Sequence, residues 1–399
     1  MVDKYIKSNI CPLPWTSLEV SVNGSVKPCC LYKEEISDKK RLNPYQLYKV
    51  YKSSTLTDIQ NSEYMQELRK EFVSGSKPKG CRSCWAEEDA GKTSKRMNSL
   101  YKMRSSLKDW TPNSKPSLKF IDFKLGNVCN LKCRICGSWS SSKWAQEELS
   151  YNKDNDLARL HLNEGGWPKR YPEFFENVKK VLKDVEYFEF TGGEPFMIQQ
   201  HFELLKYCIK EGYAKNQDIH YNTNGTHLPG PEIFEMWKHF KRVEIAFSID
   251  DIGEQFEYQR HPAKWIEVNE NMYKFKQQRT DNMQFQICTT ISMFNVLNLA
   301  KIALWVKQFN PEFFYVNTCF DPPCYNVQTL PKRVKSIVTA RYYNIKEFKP
   351  TIRYMNLFDG ANVEIDKERK VRIIKADVYR KEKFSDTFPI LNNLLKIYE

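Results

Sequence analysis

From residue 118 onward the chain repeats one pattern: a short apolar strand, a break, then a stretch of helical periodicity. The strands read from the sequence are LKFIDFKLG (118–126), VEYFEFTG (185–192), DIHYNTNG (218–225), RVEIAFSID (242–250), MQFQICTTIS (283–292) and FFYVNTCF (313–320). Segments such as IQQHFELLKYCIKEG and NLAKIALWVKQFN lie between them. Six β–α repeats imply a parallel sheet, because a parallel neighbour is reached only through a crossover, and such crossovers are right-handed. The fold class expected is therefore α/β. The alternating texture of the strands leaves an open and a curled sheet both possible. In a barrel-like sheet the chemistry would gather at the C-terminal strand ends. The informative residues stand there: Cys129 after the first strand, Gly192, Gly193, Glu194 and Pro195 after the second, and Asn222 and Asn224 at the third. Ser248 and Asp250 end the fourth, Thr289 and Thr290 lie in the fifth, and Cys319 ends the sixth. Glu189 and Glu244 fall inside strands and can point into such a barrel; the sequence assigns them no role.

The flanks differ in texture. Residues 1–117 carry short apolar runs and many turn formers. SLEVSVNGSVKPC reads as a β-hairpin, with Leu18, Val20 and Val22 alternating and Asn23-Gly24 as a two-residue turn. Helical stretches are expected at about 55–73 and over WAEEDAGKTSKRMNSLYKMR, and the prolines of residues 109–117 mark a linker. The expected division is a small N-terminal hairpin and helix domain (1–117), an α/β core (118–325) and a basic extension (326–399) whose final FSDTFPILNNLLKIYE is helical. That last helix is expected to pack on the open side of the core or to meet a partner. No apolar run reaches the length of a membrane span and the N-terminus lacks a signal-peptide pattern, so no membrane is expected and a cytoplasmic location is. Twelve cysteines in a reducing compartment are more often metal ligands or catalytic groups than disulfides. The net charge of +13 suits an acidic peptide or nucleic acid, or is a basic solvated surface; no nucleic-acid-binding motif accompanies it.

The cysteines cluster. CNLKCRIC places Cys129, Cys133 and Cys136 at C-x3-C-x2-C, and thiolates suit iron–sulfur clusters and structural zinc. Three thiolates can hold three irons of a [4Fe-4S] cube and leave the fourth open, whereas a closed zinc site wants a fourth ligand that is not at hand. Following a first β-strand, this loop resembles the signature of the radical S-adenosylmethionine (SAM) enzymes. The resemblance implies a [4Fe-4S] cluster whose open iron binds SAM, reductive cleavage to a 5′-deoxyadenosyl radical, and hydrogen abstraction from a substrate. TGGEP, with Gly192, Gly193, Glu194 and Pro195, resembles the element that receives the SAM amino group. SIDD, with Ser248 and Asp250, resembles the strand-four element that contacts SAM, and Arg260 falls where relatives place an arginine for its carboxylate. YNTNGT, with Asn222 and Asn224, resembles the third strand end, though Asn-Gly is also an ordinary turn. The resemblance spans residues 118–320 and implies a partial (β/α)6 TIM-like barrel.

Upstream, Cys11, the hairpin ending at Cys29, and C-x2-C at Cys81 and Cys84 resemble the twitch module, the shorter form of SPASM, which implies an auxiliary [4Fe-4S] cluster held by four thiolates. Cys30 is the alternative to Cys29, and zinc the alternative to iron. The module usually follows the barrel and here precedes it. Cys208 and Cys288 are expected in the core. Cys319 and Cys324 flank FDPP at the active-site end; Cys319 is either a hydrogen or proton donor or a packing thiol. The function implied is radical modification of a peptide or protein side chain, with a reductant such as a flavodoxin or ferredoxin as partner. The alternatives are oxidation of a small sugar-like substrate, modification of nucleic acid, and a non-catalytic metal-binding protein with a basic partner-binding face.

Overall fold

Eight strands form one sheet in the computed structural model, which describes residues 3–37, 48–50 and 54–398. In chain order they are β1 (Ser17–Val20), β2 (Val26–Lys27), β3 (Phe120–Phe123), β4 (Tyr187–Phe190), β5 (Asp218–Thr223), β6 (Arg242–Ser248), β7 (Met283–Ile291) and β8 (Phe313–Thr318). The spatial order is β2-β1-β3-β4-β5-β6-β7-β8, parallel throughout except for the hairpin pair β1–β2. The strands β3 to β8 are the six of the β–α repeat, each followed by at least one helix, as the partial TIM-like barrel requires.

The first strand was expected in a separate N-terminal unit. Instead β1 pairs in parallel with β3, Ser17 beside Phe120 through Val20 beside Phe123, so the sheet runs across residue 117. One hydrophobic core likewise joins Trp15, Leu18, Phe72 and Trp110 to Phe123, Phe188 and Phe247. The hairpin turn also differs from the sequence reading. Ser21 N–H donates to Ser25 O at 2.7 Å, which encloses three residues, Val22 to Gly24, with Gly24 at φ +76°. A left-handed glycine closing a three-residue loop matches the twist of the flanking strands. The helical stretch expected after Cys84 is broken in two, Arg82–Asp89 and Lys95–Lys102, with Gly91 at φ +74° between them and Ser94 capping the second.

Strand side chains alternate between faces. Ile121, Phe123, Phe188, Phe190, Tyr221, Ile245 and Phe247 form the apolar face and are buried. Helices cover it, with Trp237 against Tyr221 and Phe275 and Phe309 against Phe247. The opposite face is polar. Glu19, Asp122, Glu189, His220 and Glu244 stand side by side across β1, β3, β4, β5 and β6. A TIM barrel normally packs branched apolar side chains inside; this interior is charged. The N-terminal helix Lys95–Lys102 supplies part of its cover, with Lys95 Nζ 2.5 Å from Glu189 and Lys102 Nζ 3.0 Å from Glu244.

The extension after 325 is helical and builds a second core with the C-terminal ends of β7 and β8, from Ile291 and Phe294 to Val334, Ile373, Phe384 and Leu391. The helix Val363–Arg380 was not expected from the sequence. The terminal stretch forms Phe384–Thr387 and Pro389–Leu395; its last residue, 399, lies outside the described residues. Among the described residues no helix is long and apolar enough to cross a membrane.

Candidate active site and thiol centres

The loop carrying Cys129, Cys133 and Cys136 is fastened from several directions. Its main chain pairs with residues 259–261: Lys132 N–H donates to His261 O and Arg134 N–H to Gln259 O, both at 2.7 Å. Ser141 Oγ donates to Leu131 O at 2.6 Å, and Trp144 Nε1 to Cys133 O at 2.8 Å. The two basic residues between the cysteines turn away from them. Lys132 pairs with Glu147, which also takes the Arg380 guanidinium at 2.9 Å. Arg134 meets Asp377 Oδ1 at 2.7 Å and stacks over the Tyr258 ring at 3.9 Å. The C-terminal extension thereby locks the loop in place.

The three thiols are brought together. Cys133 and Cys136 contact each other; that contact and burial push the Cys133 thiol up, against the pull of Arg260. Burial and the neighbouring Cys133 push Cys129 up to about 12. Arg260, buried, lies with one guanidinium nitrogen 3.9 Å from Cys133 Sγ and another 2.7 Å from Asp250 Oδ2, and its Nε has no partner among the described residues. Asp250 is itself fixed, accepting from Thr290 N at 2.8 Å. The glycine pair packs on the same loop. Gly192 and Gly193 both have positive φ, and a Cβ on Gly193 would lie 2.3 Å from Val128 O, so only glycine allows this approach beside Cys129. Glu194 is fully buried and accepts from Thr223 Oγ1 and Asn224 N, both at 2.8 Å. Burial pushes its carboxyl up to about 7, and its contacts give it the geometry of a tie between two strand ends. Asn224 reaches Asn130 Oδ1 at 3.0 Å and lies 3.9 Å from Cys129 Sγ.

A second group of thiols forms in the N-terminal region. Cys11 is pushed well up by burial and by the proximity of Cys81, Cys29 and Cys84. Four buried or half-buried thiols with mutually repelling charges suit a polynuclear cation that takes four thiolates. Cys30 is not among the thiols that act on Cys11; it lies near Lys95, Asp122 and Glu189 of the polar face as well as Cys29. Lys33 N–H donates to Gly80 O at 3.1 Å, tying the Cys29 turn to the Cys81 turn. A single side chain holds the approach to Cys11: Arg96 Nη1 donates to Tyr5 O, Ser8 O and Ile10 O at 2.9–3.0 Å. Among the described residues no three Cys, His, Asp or Glu side chains surround a point that one metal ion could fill. The grouping is looser, and its all-thiol chemistry fits an iron–sulfur cluster.

Family comparison agrees with this geometry. A model of the radical SAM superfamily matches residues 123–305, and a model of SPASM, an iron-sulfur cluster-binding domain, matches residues 11–85. The chain carries a radical SAM domain and a SPASM iron-sulfur cluster-binding domain. The radical SAM superfamily is one of enzymes, and its domain implies a [4Fe-4S] cluster that binds SAM, with an auxiliary iron–sulfur centre for the SPASM part. Solved structures similar to this protein include anSMEcpe with bound AdoMet and the Cp18Cys peptide, 19% identical over 60% of this chain and 62% of that one, TM-score 0.39. Another is Streptococcus suis SuiB bound to the precursor peptide SuiA, 13% identical over 70% and 59%, TM-score 0.37. TYW1 with a lysine-pyruvate adduct is 15% identical over 57% and 71%, TM-score 0.31. The chain spans 53% of the anSMEcpe chain with AdoMet alone. No curated protein matches it.

The remaining candidates are spread along the barrel. Asn222 Oδ1 accepts from Tyr315 OH at 3.0 Å, and Ser248 neighbours Cys288 in register, both on the polar face. Cys288, expected in the core, shares that polar face and accepts from Asn317 Nδ2 at 3.2 Å. Cys319 is buried in the second apolar core with Cys324, and its thiol donates to Asp321 O at 3.4 Å. Sequence reasoning placed Glu189 and Glu244 as able to face the interior, without a role, and missed Glu19, Asp122 and His220 of the charged inner layer. Its signal was the alternation within FIDF, YFEF, DIHY and VEIAF, where every polar residue falls on one face.

Proposed function

We propose that the protein cleaves SAM reductively and abstracts a hydrogen atom from a peptide or protein side chain. The single observation that carries the reading is the convergence of Cys129, Cys133 and Cys136 beside the Arg260–Asp250 pair at the strand ends. Cys129, Cys133 and Cys136 would hold the [4Fe-4S] cluster, and Cys11, Cys29, Cys81 and Cys84 an auxiliary [4Fe-4S] cluster. When bound, the first cluster with SAM supplies a 5′-deoxyadenosyl radical.

The chain's own residues bind and orient. Arg260, held by Asp250 through one Nη, keeps its Nε without a partner among the described residues and can meet a carboxylate there. Gly192 and Gly193 bring main chain close to the loop, and Glu194 holds β4 to β5 so that this approach is fixed. Asn222, Asn224, Ser248 and Asp250 offer polar contacts around the same opening. The half-exposed polar side chains Lys124, Thr191, Asn222 and Tyr315 line a wetted inner face that suits a polar substrate. The SPASM-type module and the +13 charge favour a peptide or protein over a sugar. A flavodoxin or ferredoxin is the expected electron donor, and the thiol of Cys319 is too enclosed to lead as hydrogen donor. The test is anaerobic reconstitution with iron and sulfide, followed by dithionite and SAM. Formation of 5′-deoxyadenosine is expected; its absence with both clusters intact would sink the reading.

A further inference from the structure

The charged layer on the inner face is satisfied at one side and unfinished at the other. On the satisfied side Glu244 takes His220 Nδ1 at 2.9 Å, Lys102 Nζ at 3.0 Å and Tyr187 OH at 3.2 Å. Burial alone would raise the neighbouring Glu189 carboxyl, but Lys95 overrides it and holds it down at about 2. On the other side Glu19 and Asp122 are cross-strand partners in β1 and β3. Glu19 Oε1 accepts from Lys124 Nζ at 2.8 Å and Ser21 Oγ at 2.7 Å, and Asp122 Oδ1 accepts from Thr191 Oγ1 at 3.0 Å. The second oxygen of each, Glu19 Oε2 and Asp122 Oδ2, has no hydrogen-bond partner among the described residues, although the two residues are only 1% and 2% exposed.

A buried acceptor without a donor costs about 1–3 kcal/mol, more when charged, so two side by side call for an occupant. Charge points the same way. Of the three carboxyls, Glu19 pairs with Lys124 and Glu189 with Lys95, while among the described residues Asp122 makes no ion pair and burial pushes it up to about 7, as expected of a carboxyl without a cation of its own. Above Asp122 in the strand direction, Lys124 and Thr191 are half-exposed, so the pair lies at the floor of the wetted face that ends at the cysteine loop. Two acceptor oxygens fall short of a calcium site, which takes about six to eight oxygens, and they suit the donors of an ammonium group; magnesium, which one or two carboxylates and water can hold, is the competing occupant.

We infer that Glu19 and Asp122 anchor a primary ammonium group of the substrate, with the carbon chain behind it rising toward the SAM end of the barrel. The inference rests on the reading above and names its substrate class: an amine-bearing side chain or terminus. Each strand residue advances about 3.3 Å, so a floor one or two pleats below the strand ends suits an unbranched chain of roughly lysine length.

The probe is n-butylammonium, with n-butanol as the neutral match, added to the reconstituted full-length protein and followed by calorimetric titration and thermal unfolding. Saturable binding and a raised Tm are expected for n-butylammonium and neither for n-butanol. Asp122→Asn and Glu19→Gln, checked for folding by circular dichroism, should each weaken n-butylammonium about tenfold or more. Equal effects of amine and alcohol on the unmodified protein would overturn the inference whether or not the variants fold. So would unchanged affinity in both variants, or a response to magnesium in place of the amine. Because binding is read without turnover, failure here is separate from failure to form 5′-deoxyadenosine.

Discussion

Cys129, Cys133 and Cys136 come from eight consecutive residues, whereas Cys11, Cys29, Cys81 and Cys84 are gathered from positions spread between residues 11 and 84. The first loop is fixed by the protein: main-chain bonds to residues 259–261, Trp144 and Ser141, and two buried ion-pair systems that reach the C-terminal helix. The second group has Arg96, the Lys33–Gly80 bond and the shared core; Lys95 acts on Cys29, whereas Cys11 meets chiefly burial and the other thiols. The difference teaches what each group needs its metal for. A loop already held can lend one open coordination site to a ligand. Thiols drawn from separate segments depend on the metal to join them, so that binding there is folding free energy.

The sharpest way to break the comparison is Cys133→Ala. Production of 5′-deoxyadenosine should fall below detection by chromatography, while iron at the N-terminal group, read by visible absorption and iron assay, stays. Loss of iron from both groups would mean that the two are not separable. The converse variant, Cys84→Ala, should lower the Tm of the reconstituted protein by on the order of 5 °C, and by more than Cys133→Ala does, in a calorimetric scan. Equal shifts would remove the contrast between a preformed and a metal-dependent site.

The support of the first loop gives a third test. Asp377 accepts from Arg134, Tyr258 OH at 2.6 Å, Phe384 N at 2.6 Å and Tyr398 OH at 2.7 Å, in a buried position. A fully stranded buried charge costs about 3–5 kcal/mol, but Glu382 Oε2 also pairs with Arg134 at 2.5 Å, so the loss of the Asp377 charge is expected to cost less, about 1–3 kcal/mol. Asp377→Asn should lower denaturant-unfolding stability by about that much and weaken SAM binding, since Arg134 lies between Cys133 and Cys136. A stability loss with unchanged SAM affinity would show that the C-terminal helix supports the fold and not the loop.

The two regions also differ in how far they could be read in the sequence. Cys129, Gly193 and Asp250 were visible because each follows a strand with the same apolar rhythm, and parallel topology sends all such ends to one edge; Arg260, at the end of the helix Glu254–Gln259, was legible only through the family resemblance. The six strands were legible for the same reason. The attachment of β1 to β3 was not, because four residues carry no sign of which edge they will join. The locking helix Val363–Arg380 hid behind its charges: its buried residues include Arg369, Asp377 and Arg380, which a hydrophobic pattern does not count as core. The inner layer was half legible, since alternation showed Glu189 and Glu244 facing one way while the lysines that meet them come from a distant helix.

The smallest expected effect concerns the segment on which the first loop leans. Asp251 fastens it, accepting from Gln259 Nε2 at 3.2 Å and from Asn298 Nδ2 at 2.9 Å, next to the carbonyl that receives Arg134 N–H. Burial raises the Asp251 carboxyl from 3.8 to about 6. The native state therefore holds a proton that the unfolded chain releases. The stabilising contribution is complete below about pH 3.8 and is lost as pH rises through about 6. At about 1.4 kcal/mol per unit, the change is on the order of 2–3 kcal/mol, reduced by whatever solvent reaches the group. Asp251→Asn keeps the shape and removes the proton, so the unfolding free energy measured between pH 4 and pH 6.5 should lose this downward slope relative to the parent protein. An identical slope would assign the pH dependence to other buried carboxyls, such as Asp122 at the floor of the barrel, and leave the support of the loop independent of protonation.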